Sequence, residues 1–224
     1  VVPSFGIHPW WAGAAGSDGD GRELRELLEQ IPTAGVGECG LDGGKKKEIP
    51  MELQMEVLRP QLDLALEYQR PVSLHCVAAH GTLLQVLQEV FGRGHGPGLV
   101  LHSYCGSVDM VQAFAKLNCY FSFSASIIHI PKHAAALRAV PEDRLLLETD
   151  APDQLPRSLR GGVSPQGEEV HADEDGLLNE PCWLPLVLEA AAAHRQVSES
   201  HLAELTSFNA LRVFRFREHA TPDA

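Results

Sequence analysis

The sequence predicts an α/β fold built on a parallel sheet. Short apolar runs and amphipathic stretches alternate six times along the chain, and strict alternation of that kind joins parallel strands through crossover helices. The run in "RLLLETDAP" (Arg144 to Pro152) is continuously apolar and bounded by turn signals, as in a strand buried on both faces. Polar, metal-capable residues recur at the ends of these runs, which is where parallel α/β folds assemble their sites.

The elements follow in order. "VVPSFGIHPWW" supplies a first strand and "ELRELLEQIP" its helix. "AGVGECGLD" precedes "PMELQMEVLRPQLDLALEYQ", "RPVSLHCVAAH" precedes "GTLLQVLQEVFGR", and "GPGLVLHSYCGS" precedes "VDMVQAFAKLN". "CYFSFSASI" leads into "PKHAAALRAVP". "RLLLETDAP" is the sixth strand, followed after a polar stretch by "NEPCWLPLVLEAAAAHRQ" and "SESHLAELTSFNALRVFRF". In the second helix Leu53, Val57, Leu58, Leu62, Leu64, Ala65 and Leu66 recur at helical spacing. Pro60 lies among them, so a kink or split is expected there.

Two stretches break the rhythm. Lys45 to Lys47 form a short basic loop after the second strand, a solvated segment or a phosphate contact. Residues 153–176 are rich in Gly, Pro and acid and too long for an ordinary connection. They are expected to be a mobile loop or a lid. The remainder reads as a single domain over 1–224.

With 224 residues, 44% of them hydrophobic, the chain can bury a sizeable core. A net charge of −12 argues against coating nucleic acid by charge alone. Five cysteines without a CxxC pair suit reduced thiols in a cytoplasmic or nuclear setting. No apolar run is long enough to span a membrane, and no signal peptide is visible. The chain opens directly on "VVPSFGIHPWW" and reads as entered in mid-domain.

Five of the six strand tips carry a metal-capable side chain: His8, Glu38, His75, His102 and Asp150. Alone, each is an ordinary structural histidine, ion-pair partner or turn residue. Gathered in one cavity they create a problem, because desolvating carboxylates and imidazoles together costs several kcal/mol per uncompensated charge. A divalent ion resolves it. Oxygen and imidazole donors suit Zn, Mn, Fe or Mg. Glu38, His75 and His102 would make a His2Glu site with an open position; Asp150 would hold a second ion or handle the proton of a water. Cys39 and Cys76 adjoin Glu38 and His75, point to the opposite strand face, and read as small core residues. Rival motifs are missing: no Walker A loop or G-x-S-x-G elbow occurs.

"GECGLD", "RPVSLHCVAAHG", "LHSYCGS", "YFSFSASI", "VPEDRLLLETDAPDQLP" and "SFNALRVF", with "GIHPW", resemble the TatD family of metal-dependent deoxyribonucleases over nearly the whole chain. The His-Cys-Val and Glu-Thr-Asp-Ala-Pro-Asp segments are closest to its eukaryotic branch. The resemblance implies a (β/α)8 TIM barrel with one or two divalent ions (Mg, Mn or Zn) at its C-terminal face. It implies that Glu38 bridges two ions, that His75 and His102 ligate the second, and that Asp150 ligates the first and serves the nucleophilic water. His8 would lie beside the substrate phosphate.

The sequence departs from the family pattern in three places. It lacks a first-strand His-x-His pair, it shows about six βα units where eight are expected, and Ala78 stands where the branch carries arginine. An N-terminally truncated barrel is therefore expected. The implied function is phosphodiester hydrolysis of DNA by metal-activated water, on single strands or ends, with no obligate protein partner. The alternatives are a catalytically impaired isoform and an amidohydrolase-type enzyme acting on a lactone or amide.

Overall fold

The computed structural model describes residues 2–15, 21–44, 49–92, 96–161, 172–173 and 176–214. Six parallel strands form one sheet in sequence order: β1 (Ser4–Phe5), β2 (Gly35–Asp42), β3 (Val72–Val77), β4 (Leu99–Leu101), β5 (Cys119–Phe123) and β6 (Leu145–Leu147). The helices between them are α1 (Arg22–Gln30), α2 (Met51–Glu67), α3 (His80–Phe91), α4 (Val108–Ala115) and α5 (Pro131–Ala139). After β6 come a small hairpin of two-residue strands, β7 (Ala172–Asp173) with β8 (Gly176–Leu177), and then α6 (Leu184–Arg195) and α7 (Glu199–Val213). The six strands and their order are those expected from the sequence. The Lys45–Lys47 loop and residues 162–171 and 174–175 of the polar stretch lie outside the described residues.

Both faces of the sheet are covered. Leu74, Leu99, Leu101, Phe121 and Leu145 join the helices in the main core, while Val100, Tyr120 and Leu146 pack with Val213 of α7 on the other face. Register ties Ser73 to Val100, Val100 to Tyr120, and Ser122 to Leu146. Continuing this second face two residues along each strand leads from Ser73 to His75, from Val100 to His102 and from Leu146 to Glu148. Cys39 and Cys76 lie in the main core instead, with Cys39 fully buried.

The β2–β3 pairing is irregular between Val36 and Cys39. Such a bulge re-aims one side chain, and Gly37 and Glu38 are the residues inside it. Two glycines permit the approach. A Cβ on Gly37 (φ +134°) would stand 2.5 Å from the Ser73 carbonyl oxygen, and one on Gly40 (φ +145°) 2.0 Å from that of His75.

Pro60 does not split α2, which runs unbroken from Met51 to Glu67. Pro60 costs the helix the amide donor to the Glu56 carbonyl, and next to it Gln61 Nε2 donates to the Val57 carbonyl at 2.9 Å. The Gln61 Oε1 accepts the Ile7 amide at 2.7 Å and anchors the segment after β1 to this helix.

Gly40→Ala should destabilise the fold by roughly 3 kcal/mol or more, because both its φ and its neighbour forbid a side chain. Gly81→Ala, with nothing within 4 Å of the added methyl, should be neutral or stabilising by about 0.5–1 kcal/mol. Urea unfolding of both variants checks the contrast.

Candidate active site

Glu38 stands at the centre of the strand tips. Its Oε1 lies 2.8 Å from His75 Nδ1, 2.7 Å from His102 Nε2 and 3.4 Å from His8 Nε2. Asp150 Oδ1 is 3.6 Å from His102 Nδ1. All five sequence-predicted residues therefore meet, and all five line one cavity of about 690 Å³.

Carboxylates back the two central imidazoles from outside. His75 Nε2 faces Asp42 Oδ2 at 3.1 Å, and His102 Nδ1 faces Glu148 Oε1 at 3.3 Å. Each carboxylate is itself fixed. The Trp10 indole donates to Asp42 Oδ2 at 2.6 Å, and the Gly44 amide donates to Oδ1 at 2.7 Å. Gln54 clamps the Asp42 backbone, accepting its N–H at 2.7 Å and donating to its carbonyl at 3.0 Å. The Ser103 amide donates to Glu148 Oε1 at 2.7 Å. A carboxylate behind an imidazole accepts a hydrogen bond from the ring N–H on that side and leaves the other nitrogen with its lone pair. His75 then turns Nδ1, and His102 turns Nε2, toward the same Glu38 oxygen.

That convergence is the test of whether a cation fits. Two imidazole lone pairs and a carboxylate oxygen at 2.7–2.8 Å repel unless extra protons or a cation lie among them. Without a cation, protons take the part. Burial opposes charge on His102, but Glu148 and Glu38 outweigh it and push the imidazole up to about 11. Burial likewise works against the Glu38 carboxylate, yet hydrogen bonds from His102, His75 and His8 hold it far below the usual carboxylate range. A divalent ion at this point would do the same with harder, oxygen-and-nitrogen chemistry. Two groups among the described residues have the compactness of a metal site: His8–Glu38–His75 and His102–Glu148–Asp150.

His8 is the weak member of the first group. It caps the 3-10 turn Pro9–Ala14, and its Nδ1 accepts the Trp10 amide at 3.1 Å. Its remaining nitrogen, Nε2, is then an N–H donor aimed at Glu38 and at His75 Nδ1, 3.2 Å away. A donor of that kind suits an anion better than a cation.

Asp150 sits in the left-handed region (φ 61°) just past β6. Burial first, and then repulsion from Glu148, raise its carboxyl to about 6 against the pull of His102 and Gln154. Gln154 donates to Asp150 Oδ2 and to Ser103 Oγ, and accepts from Ser124. Asn179 secures the same turn by donating to the carbonyls of Thr149 and Asp153, both at 2.6 Å. Ala78, where arginine was expected, is exposed just after β3 with φ 50°.

Sequence reasoning missed Asp42, Glu148, Gln154 and Trp10. Glu148 was open to discovery, since it is two residues before Asp150 and continues the face of Leu146. Asp42 ends the same strand as Glu38. The roles of Gln154 and Trp10 depend on contacts that spacing does not carry.

A family model described as TatD related DNase matches residues 1–215. The chain is 35% identical over 214 residues to a protein named 3'-5' ssDNA/RNA exonuclease TatD from Edwardsiella piscicida, covering 94% of this chain and 76% of that one. It is 34% identical over 213 residues to the protein of the same name from Cronobacter sakazakii, covering 93% and 75%. Among solved structures, a TatD homologue from Escherichia coli K12 superposes with a TM-score of 0.75 at 26% identity, covering 96% of this chain and 76% of that one. A TatD-family hydrolase from Entamoeba histolytica, at 19% identity, shares the fold with a TM-score of 0.78 over 95% and 74%.

Asp42→Asn and Glu148→Gln should each weaken divalent-cation binding about 10- to 100-fold by calorimetry, because each frees an imidazole to present the wrong nitrogen. In chelator, the stabilisation from His102 is complete below its ordinary 6.5 and is lost as pH rises through about 11. Urea midpoints should fall across that window, and His102→Asn should flatten the fall.

Proposed function

The chain belongs to the TatD-related DNase family, and on that premise we propose that it hydrolyses phosphodiester bonds of DNA in a metal-dependent reaction at the Glu38 cluster. The observation that carries the proposal is the pair of carboxylate-backed imidazoles, His75 and His102, turned on one Glu38 oxygen. Glu38, His75 Nδ1 and His102 Nε2 would hold one ion. Asp150, with Glu148 beside it, would contribute to a second. Mg, Mn and Zn are all compatible with this donor set.

A bound divalent ion supplies Lewis-acid stabilisation of charge on the phosphoryl oxygens and acidifies water at the site. The protein groups do the rest. Asp150, beside His102 past the end of β6, would accept a proton from the attacking water. Gln154 keeps one Asp150 oxygen engaged and so directs the other toward His102. His8 offers its Nε2 proton to a non-bridging phosphate oxygen. Asp42 and Glu148 hold the imidazole rings against rotation.

The substrate is single-stranded nucleic acid, entered from an end; the named exonuclease relatives support this. The cluster lies in an acidic chain of net charge −12, so local cations rather than a broad basic surface must meet the polyanion. All five cysteines are free, and no helix among the described residues is long and apolar enough to cross a membrane. The free thiols suit a reducing compartment, the cytoplasm or nucleus.

With Mg or Mn added, the purified chain should degrade single-stranded DNA and leave lactones untouched. Chelator should abolish the reaction and added ion restore it. Glu38→Gln and Asp150→Asn should each lower kcat by at least about 100-fold, an expected scale for losing a metal ligand or a general base. Retained nuclease activity in both variants would remove the assignment.

A further inference from the structure

The cavity that opens from the Glu38 cluster has a second wall that the proposed hydrolysis does not use. It is formed by the 3-10 turn Ala125–Ile128, the start of α5 and the segment after β6, and it presents Ser126, His129, His133 and Arg160. The opposite rim carries Trp10 and Trp11, the latter 59% exposed. Nitrogen donors and aromatics thus line one space, in a protein whose overall charge is strongly negative.

Two imidazoles and the Arg160 guanidinium supply the nitrogen donors of this wall, with Asp153 beside them. Burial, and then the charges of Arg157 and Arg160, push His129 below its ordinary value. Burial, Lys132 and His129 do the same to His133. Ser126 Oγ and His133 Nδ1 lie 2.9 Å apart, which holds that ring in place. Neutral imidazoles and a guanidinium are hydrogen-bond donors matched to phosphate oxygens.

Resting on the nuclease reading, we infer that this cavity is a strand-binding subsite: Trp11 stacks on a base of single-stranded nucleic acid, and His129, His133 and Arg160 grip phosphates next to the one at Glu38. Proteins that take single strands without reading sequence combine these two elements, a stacking face and a cationic track. The placing of the two walls in one cavity of about 690 Å³ suits an unpaired strand, whose bases are free to turn away from the backbone. The subsite gives an acidic chain a way to prefer a polymer to an isolated diester.

Binding of fluorescein-labelled dT12 to the full chain, measured by anisotropy in the Glu38→Gln background to prevent turnover, tests this. Trp11→Ala should weaken dT12 about tenfold, in the range expected when one base loses its stacking partner, and should leave an abasic strand of equal length unaffected. His129→Ala combined with Arg160→Ala should weaken both strands, and loss of the Arg160 charge should lower the log–log salt slope by about one. Arg160→Lys in place of Arg160→Ala should restore part of the salt slope. Changes below twofold in both variants, or equal weakening on the dT12 and abasic strands in Trp11→Ala, would overturn the subsite. The nuclease reading stands or falls separately: if wild type with Mg or Mn leaves dT12 intact while these binding changes occur, that reading fails and the subsite stands.

Discussion

Lone-pair repulsion at a single carboxylate oxygen governs this structure's functional end. Glu38 Oε1 has imidazole nitrogens of His75 and His102 within 2.8 Å, and both rings are backed by further acids. Nothing in a protein interior tolerates that arrangement without positive charge among the donors. Protons can serve, and in the cation-free chain they hold His102 charged far above its ordinary range. A divalent ion would serve as well, and the compact groups that could hold one are His8–Glu38–His75 and His102–Glu148–Asp150. The rest of the site can be understood as a scaffold that keeps these groups from escaping one another.

The scaffold starts in the backbone. Parallel strands bring their C-terminal ends to one side of the sheet, and period-two alternation puts His75, His102 and Glu148 on the same face. β2 must approach β3 unusually closely to add Glu38 to that set. Gly37 and Gly40 allow the approach, and the bulge between Val36 and Cys39 turns the Glu38 side chain into the cluster. The aromatic residue after the first histidine tip completes the arrangement, since Trp10 fixes His8 through its amide and Asp42 through its indole.

Strand order, helix order and the converging tips were legible in the sequence because they depend on periodicity and on where polar residues interrupt apolar runs. His8, Glu38, His75, His102 and Asp150 could be picked out on that basis. The supporting acids were harder. Asp42 and Glu148 sit on the same strands as chosen residues, but their task is to orient a ring, and ring orientation has no signature in spacing. Gln154 is hidden in a polar stretch where one more amide carries no signal. Pro60 did not split α2, because helix-breaking is a local rule whereas the helix is also held by its packing and tied to the segment after β1 through Gln61 and the Ile7 amide. The nature of His8 as a donor rests on which of its nitrogens meets the Trp10 amide, again a matter of three dimensions.

The central claim is that Glu38, His75 and His102 hold a divalent cation, with Asp150 beside any second one. Anomalous diffraction from crystals soaked in manganese measures this directly. The account predicts a scattering peak within coordination distance of Glu38 Oε1, His75 Nδ1 and His102 Nε2, with any second peak beside Asp150. Manganese bound elsewhere, with this cluster unchanged and holding only protons, would contradict it.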